Sequence, residues 1–429
     1  MPSRRAVLLS TATAAGALLA LPGRAGAAAP TPAGTGSPPA KGKGKGKDKV
    51  TLRLPPPSGP YEVGTVSLRL VDGSRPDPWV DRPYRELMVS VRYPARAAAR
   101  YPRAPHMLPG EAAAFDGLNS FGGVPAGAVD WAATRTHAHE GAPAVGGPHP
   151  VVLYSPGAGD PRALGSTLCD DLASRGYAVV TVDHTYDAGA VEFPGGRVET
   201  TVLPAELAKV DPDPEHPDTA KIAALLEKVL TVRVADVRFV LDRLPDALPY
   251  ALRGALDFGR TGMFGQSAGG FTALAAMYDD PRVLAGADLD GVTAYVQNDP
   301  DRGYLSPVAA NGLDRPFLLI GEEGNTRRTV PSWDALWRHS RGPRFGLSLC
   351  GAAHATYTDA EVLMPQLARE LGLSADAVAG LIGTIAPADA ITTTRGVLTA
   401  FFDRTLRGRD DHGLLRHPGF RYPKAVAFN

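Results

Sequence analysis

The sequence predicts an α/β fold with a mostly parallel central sheet, helices on both faces of the sheet and one antiparallel strand pair near the N-terminus. From residue 149 onward, short apolar runs typical of buried parallel strands alternate with helical patterns. Two earlier segments, residues 65–70 and 86–91, show the alternation of short strands and are predicted to form an antiparallel pair. The composition, with 44% hydrophobic and 21% charged residues among 429, is that of a globular protein.

The N-terminal residues differ from the rest of the chain. Residues 1–27 combine Arg4 and Arg5 with a short, weakly apolar stretch and small residues suited to cleavage, which predicts an export signal. The two arginines resemble the twin-arginine motif of bacterial export, and an ordinary secretory signal is the alternative. Residues 28–49, rich in Pro, Gly and Lys, are expected to form a disordered linker. We therefore expect a secreted protein whose residues 50–429 form a single domain.

The charge distribution argues against one class of partner. The chain has 45 basic and 45 acidic residues, but eight of the basic residues and one acid lie in residues 1–49. Residues 50–429 therefore carry 37 Lys and Arg against 44 Asp and Glu. An acidic body does not suit nucleic acid. The Lys-Gly run at residues 41–49 could make a weak contact with an anionic surface, or be only a solvated linker, and no apolar run is long enough to span a membrane.

The predicted elements follow one another as strand and helix. A helix is expected near Ala112, and residues 183–218 have little pattern. Strands are predicted at residues 149–154, 177–182, 262–264, 283–289, 316–320 and 345–349. Helices are predicted at residues 163–175, 220–230, 234–244, 268–277 and 392–406.

The segment Gly265-Gln266-Ser267-Ala268-Gly269 is the G-x-S-x-G pattern of a nucleophile elbow. It lies between a predicted strand and a helix of small residues, which is the setting that such an elbow requires. Side chains at Gly265 and Gly269 would collide across the tight turn. Ser267 is therefore the candidate nucleophile.

A serine hydroxyl needs a base, and His354 follows the last predicted strand. His184, which follows another strand, is the second candidate. His137 and His139, with Glu140, could suggest a metal site, but no further ligands have suitable spacing, so a solvated loop is expected. We expect no metal and no organic cofactor.

The third member must be an acid that orients the histidine. Asp290 ends one predicted strand, while Glu322 and Glu323 end the next. All three acids follow the serine and precede the histidine in the chain. The residues alone leave the choice open.

The candidate oxyanion donors are two backbone N–H groups. Ala268 follows the nucleophile, and Ala158 lies in the turn Ser155-Pro156-Gly157-Ala158-Gly159 after a predicted central strand. An ordinary strand-to-helix turn is the alternative interpretation of the second segment.

Five segments together resemble the α/β-hydrolase superfamily, and within it the plasma-type (isoform II) platelet-activating factor acetylhydrolases and their bacterial lipase-like relatives. The resemblance extends over residues 61–428. The segments are residues 86–95, 155–159, 265–269, 289–290 and 354–359. It implies an α/β-hydrolase fold, and it favours Asp290 as the acid, with Glu323 as the alternative.

Two departures from the family pattern affect specificity. Pro156 and Gln266 stand where the family has histidines, and a proline at the first position is typical of bacterial polyester-hydrolysing cutinases. The resemblance implies a serine carboxylic-ester hydrolase of the acetylhydrolase or lipase type, active in lipid degradation on short-acyl lipid or phospholipid esters. A cutinase-like polyester hydrolase is the alternative, and a non-catalytic binding module on the same fold is a third. Residues 183–218 occupy the place of a lid or acyl-pocket wall.

The two cysteines, Cys169 and Cys350, can be read in two ways. Export would permit a disulfide between them. Two buried thiols are the interpretation that we favour.

Overall fold

A sheet of eleven strands organises the described part of the chain, which in this computed structural model comprises residues 49–118, 121–213, 217–296 and 303–428. Its order is β13-β12-β11-β10-β9-β5-β6-β2-β1-β4-β3, and β7 pairs with β8 in a separate hairpin. The strands are β1 (Glu62–Asp72), β2 (Arg85–Ala95), β3 (Arg103–Pro105), β4 (Arg135–Glu140), β5 (His149–Ser155), β6 (Ala178–Asp183), β7 (Ala190–Phe193), β8 (Arg197–Thr200), β9 (Leu256–Gln266), β10 (Val283–Leu289), β11 (Phe317–Gly321), β12 (Arg344–Leu349) and β13 (Ala425–Ala427).

The six central strands, from β12 to β6, are all parallel to their neighbours. The predicted antiparallel pair is confirmed as β1 and β2, which pair from Glu62–Ala95 to Asp72–Arg85. This pair joins the sheet through β6, which runs antiparallel to β2. The carboxyl ends of the six parallel strands therefore lie along one edge of the sheet.

Ten α-helices are present in the described ranges, and they cover both faces of the sheet. They are α1 (Pro109–Leu118), α2 (Ser166–Ser174), α3 (Leu203–Val210), α4 (Thr219–Ala247), α5 (Ala268–Asp279), α6 (Pro307–Asn311), α7 (Pro331–His339), α8 (Ala360–Leu371), α9 (Ala375–Ile382) and α10 (Pro387–Arg407). Along β5, Val151 and Leu153 pack into the cluster formed with α4, α5 and α7. Val152 and Tyr154 pack into the cluster formed with α2 and α10. Both faces of the central strands are buried, which explains their continuous apolar runs.

One helix prediction is wrong. The helices predicted at residues 220–230 and 234–244 form the single helix α4, which runs for 29 residues. The β-branched residues Thr231 and Val232 between them have low helix propensity, but Val232 is buried, and packing outweighs propensity. The patternless residues 183–218 contain the β7–β8 hairpin and α3.

An N-terminal strap, residues 50–60, crosses the surface of the fold. The N–H of Val50 donates to Ala128 O at 2.9 Å. Leu52 and Leu54 are buried in a cluster that includes residues of α8. Gln366 exchanges two hydrogen bonds with the backbone of Arg53, at 3.0 and 2.8 Å. Further along, Arg395 donates to Pro56 O at 2.9 Å.

The predicted export signal and nearly all of the predicted linker lie outside the described residues. Among the helices that the structure does describe, none has the length and apolar character needed to cross a membrane.

Candidate active site

Three strand ends meet at the carboxyl edge of the sheet and are joined by backbone hydrogen bonds. The N–H of Ser267, just after β9, donates to Leu289 O at 2.8 Å. The N–H of Asp290, just after β10, donates to Ile320 O of β11 at 2.7 Å. The predicted nucleophile and the predicted acid are therefore held on neighbouring strand ends.

Ser267 occupies a strained turn between β9 and α5. Its φ and ψ are 56° and −124°, which is a costly conformation for a residue with a side chain. A Cβ atom at Gly265 or at Gly269 would overlap the carbonyl of Ser155, so only glycine fits at these two positions. The geometry is that of a nucleophile elbow, with a buried serine at its tip.

His354 and Asp290 form a short hydrogen bond. His354 Nδ1 lies 2.6 Å from Asp290 Oδ2, and the histidine begins a 3-10 helix, His354–Tyr357, in the loop that follows β12. The other carboxylate oxygen, Oδ1, accepts from the Glu322 N–H and from Asn325 Nδ2, both at 2.9 Å. With both oxygens engaged, the carboxylate is held in one orientation toward the imidazole.

Acidic groups surround the imidazole of His354. Burial on its own would lower the pKa of His354, but the hydrogen bond and charge of Asp290, with the charges of Glu322 and Asp160, raise it above its usual value. Burial and the charge of Asp290 raise the pKa of Glu322 to about 7. Burial also raises the pKa of Asp160 to about 6. This environment stabilises the imidazolium that forms when a histidine takes a proton from a serine.

The alternative acids lie elsewhere. Glu323 is exposed, and its backbone N–H donates to Ala352 O at 3.1 Å. Glu322 is half-buried and contributes its backbone N–H, rather than its carboxylate, to the hydrogen bonds of Asp290. Of the three acids considered, the structure places Asp290 against His354.

The two candidate oxyanion donors flank the elbow. Ala268 is the first residue of α5, so its N–H has no acceptor within the helix. Ala158 is half-buried, and its N–H donates to no group that the structure describes. Both N–H groups are therefore free to bind a ligand oxygen.

Two positioning contacts were not predicted. Gln266 Nε2 donates to the backbone oxygen of His354 at 3.0 Å, which fixes the histidine loop to the elbow. Asn325 fixes the carboxylate of Asp290, as described above. The position of Gln266 directly before Ser267 could have indicated this contact, because a side chain next to the serine can reach the loop that carries His354. No pattern in the sequence marks Asn325.

The remaining histidine candidates are engaged in other contacts. His184 is fully buried and bonds to Ser155 Oγ at 2.9 Å and to Asp236 Oδ2 at 3.0 Å. His137 and His139 were expected in a solvated loop, but they lie half-buried on β4 and bond to backbone carbonyls. The described residues contain no group of three or more His, Cys, Asp or Glu arranged to hold a metal ion.

Both cysteines are free thiols. Cys169 is buried on α2, as expected, but Cys350 is only half-buried just after β12, so the expectation of two buried thiols is wrong for Cys350. Burial raises the pKa of Cys169 far above its usual value, which disfavours the reactive thiolate in the folded protein.

The hairpin β7–β8 lies beside the turn that contains Ala158. The N–H of Gly189, which precedes the hairpin, donates to Gly159 O at 2.7 Å. Residues 183–218, which were predicted to form a lid or pocket wall, thus contact the turn that contains Ala158.

Three comparisons show which known proteins this chain resembles. Residues 47–193 match the family model described as platelet-activating factor acetylhydrolase, isoform II. A protein of Arthroderma benhamiae named "Probable 1-alkyl-2-acetylglycerophosphocholine esterase" is 28% identical over 401 residues, which are 87% of this chain and 93% of the relative. The solved structure of a ferulic acid esterase from Streptomyces cinnamoneus is 35% identical, with a TM-score of 0.68, and the match covers 88% of this chain and 99% of that one.

Proposed function

Because this chain belongs to the α/β-hydrolase superfamily, as a serine ester hydrolase related to the isoform II platelet-activating factor acetylhydrolases, we propose that Ser267, His354 and Asp290 form its catalytic triad. The observation that carries the proposal is the 2.6 Å hydrogen bond between His354 Nδ1 and Asp290 Oδ2. The strained elbow at Ser267 supports it, because such strain is typical of functional residues.

The reaction begins when Ser267 Oγ attacks the ester carbonyl and His354 Nε2 takes the hydroxyl proton. The carbonyl electrons move onto oxygen, and the N–H groups of Ala158 and Ala268 bind the resulting oxyanion. Each such donor is worth about 3 kcal/mol of barrier. Asp290 keeps the proton of His354 on Nδ1 and stabilises the imidazolium.

Collapse of the tetrahedral intermediate breaks the ester bond and leaves an acyl group on Ser267. His354 gives its proton to the departing alcohol. Water then attacks the acyl-enzyme with His354 again as the base, and the carboxylic acid leaves. The chain's own residues supply every proton transfer in this sequence.

We propose short-acyl lipid or phospholipid esters as the substrate class. The matching family description and the name of the Arthroderma benhamiae relative support this choice. Feruloyl esters are the second candidate, favoured by the named activity of the Streptomyces cinnamoneus structure. Polyester is the third, and the proline at position 156 favours it.

A substrate panel on wild type and Ser267→Ala tests both the proposed catalytic triad and the proposed substrate class. The panel contains a p-nitrophenyl acyl series, a 1-alkyl-2-acetylglycerophosphocholine, methyl ferulate and a polyester film. We expect the highest kcat/KM with acetyl esters, labelling of Ser267 by a fluorophosphonate, and no turnover by Ser267→Ala. Turnover that survives this substitution contradicts the triad, while a preference for methyl ferulate or polyester changes only the substrate class.

We also propose that the protein is exported and that residues 41–49 make weak contact with anionic surfaces. The supporting observations are the composition of residues 1–27 and the alternating Lys-Gly run. N-terminal sequencing of the protein from culture medium tests export. Salt-sensitive adsorption to anionic vesicles tests the contact through residues 41–49. Retention of residues 1–27 on protein confined to the cytoplasm would contradict the export proposal.

A further inference from the structure

A buried arginine faces the turn that carries the candidate oxyanion donor. The Arg233 side chain on α4 is only 1% exposed. Its Nη1 donates to Pro156 O at 2.6 Å, and its Nη2 donates to Gly157 O at 2.9 Å. These peptide bonds are trans, so each N–H points opposite to the carbonyl of the same peptide. Holding the two carbonyls on one side therefore aims the N–H groups of Gly157 and Ala158 to the other side.

Asp187 completes the grip on this turn. It forms a two-contact ion pair with Arg233, at 2.7 Å from Nε to Oδ2 and 2.6 Å from Nη2 to Oδ1. The same Oδ1 accepts the N–H of Gly159 at 3.2 Å. Gly159 has a φ of 80°, so the turn reverses direction there. The arginine and the aspartate hold successive peptides of the turn, and a two-contact pair fixes the plane of the guanidinium.

A second layer of buried groups supports the arginine. Arg233 Nη1 also lies 3.3 Å from Ser155 Oγ, whose hydroxyl contacts His184 Nε2. Burial lowers the pKa of His184, which favours the neutral ring at pH 7. Asp236 accepts from Nδ1, which leaves Nε2 to accept the proton of the Ser155 hydroxyl. The hydroxyl oxygen is then free to accept from Arg233, and every contact has a donor and an acceptor.

Stability alone does not require this arrangement. Buried ion pairs can often be replaced by apolar residues of similar volume at little or no cost. An apolar residue cannot, however, bind the carbonyls of Pro156 and Gly157 at once. The distinctive property of the guanidinium here is the orientation that it imposes on the turn.

We propose that Arg233, fixed by Asp187, is a positioning residue for the oxyanion hole. It touches neither the substrate nor the reacting atoms and acts through the peptide N–H of Ala158. The proposal depends on the proposed role of Ser267 as nucleophile.

The test compares Arg233→Met and Arg233→Lys with Arg395→Met. Arg395 is a matched control because it is also a buried arginine that donates to two backbone carbonyls, of Pro56 and Thr167, and neither lies in the active site. We expect Arg233→Met to lower kcat about 100-fold, because loss of one oxyanion donor has an effect of this size. KM should change by less than about threefold, since the ground state does not use the oxyanion hole.

The other two variants show whether the loss of kcat depends on the guanidinium of Arg233 or only on lost stability. Arg233→Lys should recover part of the lost kcat, because an ammonium can bind a carbonyl but cannot reproduce the fork of the guanidinium. Arg395→Met should keep the wild-type kcat even if its melting temperature falls as far as that of Arg233→Met.

A trifluoromethyl ketone gives a readout that simple loss of stability would not produce. Ser267 Oγ adds to its carbonyl carbon, the carbonyl electrons form an oxyanion, and His354 takes the serine proton. Arg233→Met should weaken binding of this compound by the same factor as kcat. The affinity for the corresponding alcohol, which forms no oxyanion, should stay within about threefold of wild type.

The outcomes separate this inference from the function on which it depends. A folded Arg233→Met with wild-type kcat, or with equal losses for the ketone and the alcohol, overturns the positioning role. If Arg233→Met does not fold, Asp187→Asn replaces it in the same measurements and must show the same selective loss. An active Ser267→Ala would instead overturn the proposed function itself.

Discussion

Replacing Asp290 with asparagine tests how the acid controls the protonation of His354. The side chain keeps its shape, but one oxygen becomes an NH₂ group. Oδ1 already accepts from the Glu322 N–H and from Asn325 Nδ2, both at 2.9 Å. The oxygen of an asparagine must stay at that position, because an NH₂ group there would face two donors. The NH₂ group is then placed toward His354 Nδ1.

That orientation of the NH₂ group changes the tautomer of His354. An NH₂ group donates, so Nδ1 must become the acceptor and the proton moves to Nε2. A protonated Nε2 cannot take the proton of Ser267. Loss of the correct tautomer in a serine triad costs about 10⁴-fold in kcat, which corresponds to about 5 kcal/mol of barrier. We expect a loss of that size for Asp290→Asn, with an unchanged fold.

Initial rates on p-nitrophenyl acetate measure the effect, with circular dichroism and thermal melting as controls for folding. Glu323→Gln is the matched variant, because Glu323 follows the next strand and is exposed. It should keep wild-type activity. A loss below about tenfold for Asp290→Asn, together with a large loss for Glu323→Gln, would refute the reasoning and transfer the role to Glu323.

Three further predictions concern pH, thiols and stability. Because acidic neighbours raise the pKa of His354, the acid limb of kcat/KM should have its midpoint above the usual imidazole value of about 6.5. Glu322→Gln removes one of those charges and should shift that midpoint to lower pH in a pH–rate profile; an upward shift would contradict this. Native mass spectra with and without reductant should show no disulfide, and Cys169 should react with a thiol reagent only after unfolding, so labelling of the native protein at Cys169 would disprove its inertness. Asp236→Asn leaves a buried arginine without one partner and should destabilise the protein by about 3–5 kcal/mol in urea unfolding. Burial alone would raise the pKa of Asp236, but the charge of that arginine lowers it below the unfolded value. The contribution of Asp236 to stability should therefore be lost as pH falls below about 4. A melting temperature that does not change with pH in that range would contradict this prediction.

The central sheet could be predicted because burial on both faces leaves a continuous apolar run. The run at residues 283–289 coincides with β10 as the structure has it. β3 and β13 have three residues each, and their pairing depends on neighbours distant in the chain. Elements of that length leave no periodic signal.

The candidate site likewise contains residues that could be predicted from the sequence and residues that could not. Chemistry restricts a nucleophile and a base to a few residue types after strand ends, which is why Ser267 and His354 could be predicted as candidates. The choice of Asp290 over Glu322 and Glu323 depended instead on the family resemblance. Arg233 could not be predicted, since it lies 77 residues from Pro156 in sequence and is a common residue type in a helix. Its neighbourhood was also where the helix prediction was wrong. A contact between a helix and a distant turn is a property of the tertiary structure alone.

The N-terminal strap has a consequence for the order of events during synthesis. Residues 50–60 leave the ribosome before the rest of the described chain, yet their partners Gln366 and Arg395 are 313 and 339 residues away from Arg53 and Pro56. Until α8 has been made, Leu52 and Leu54 have only part of their packing surface. The strap can therefore complete its contacts only late in synthesis or after it, and a chain stalled before residue 366 would expose a leucine-bearing segment to chaperones and proteases.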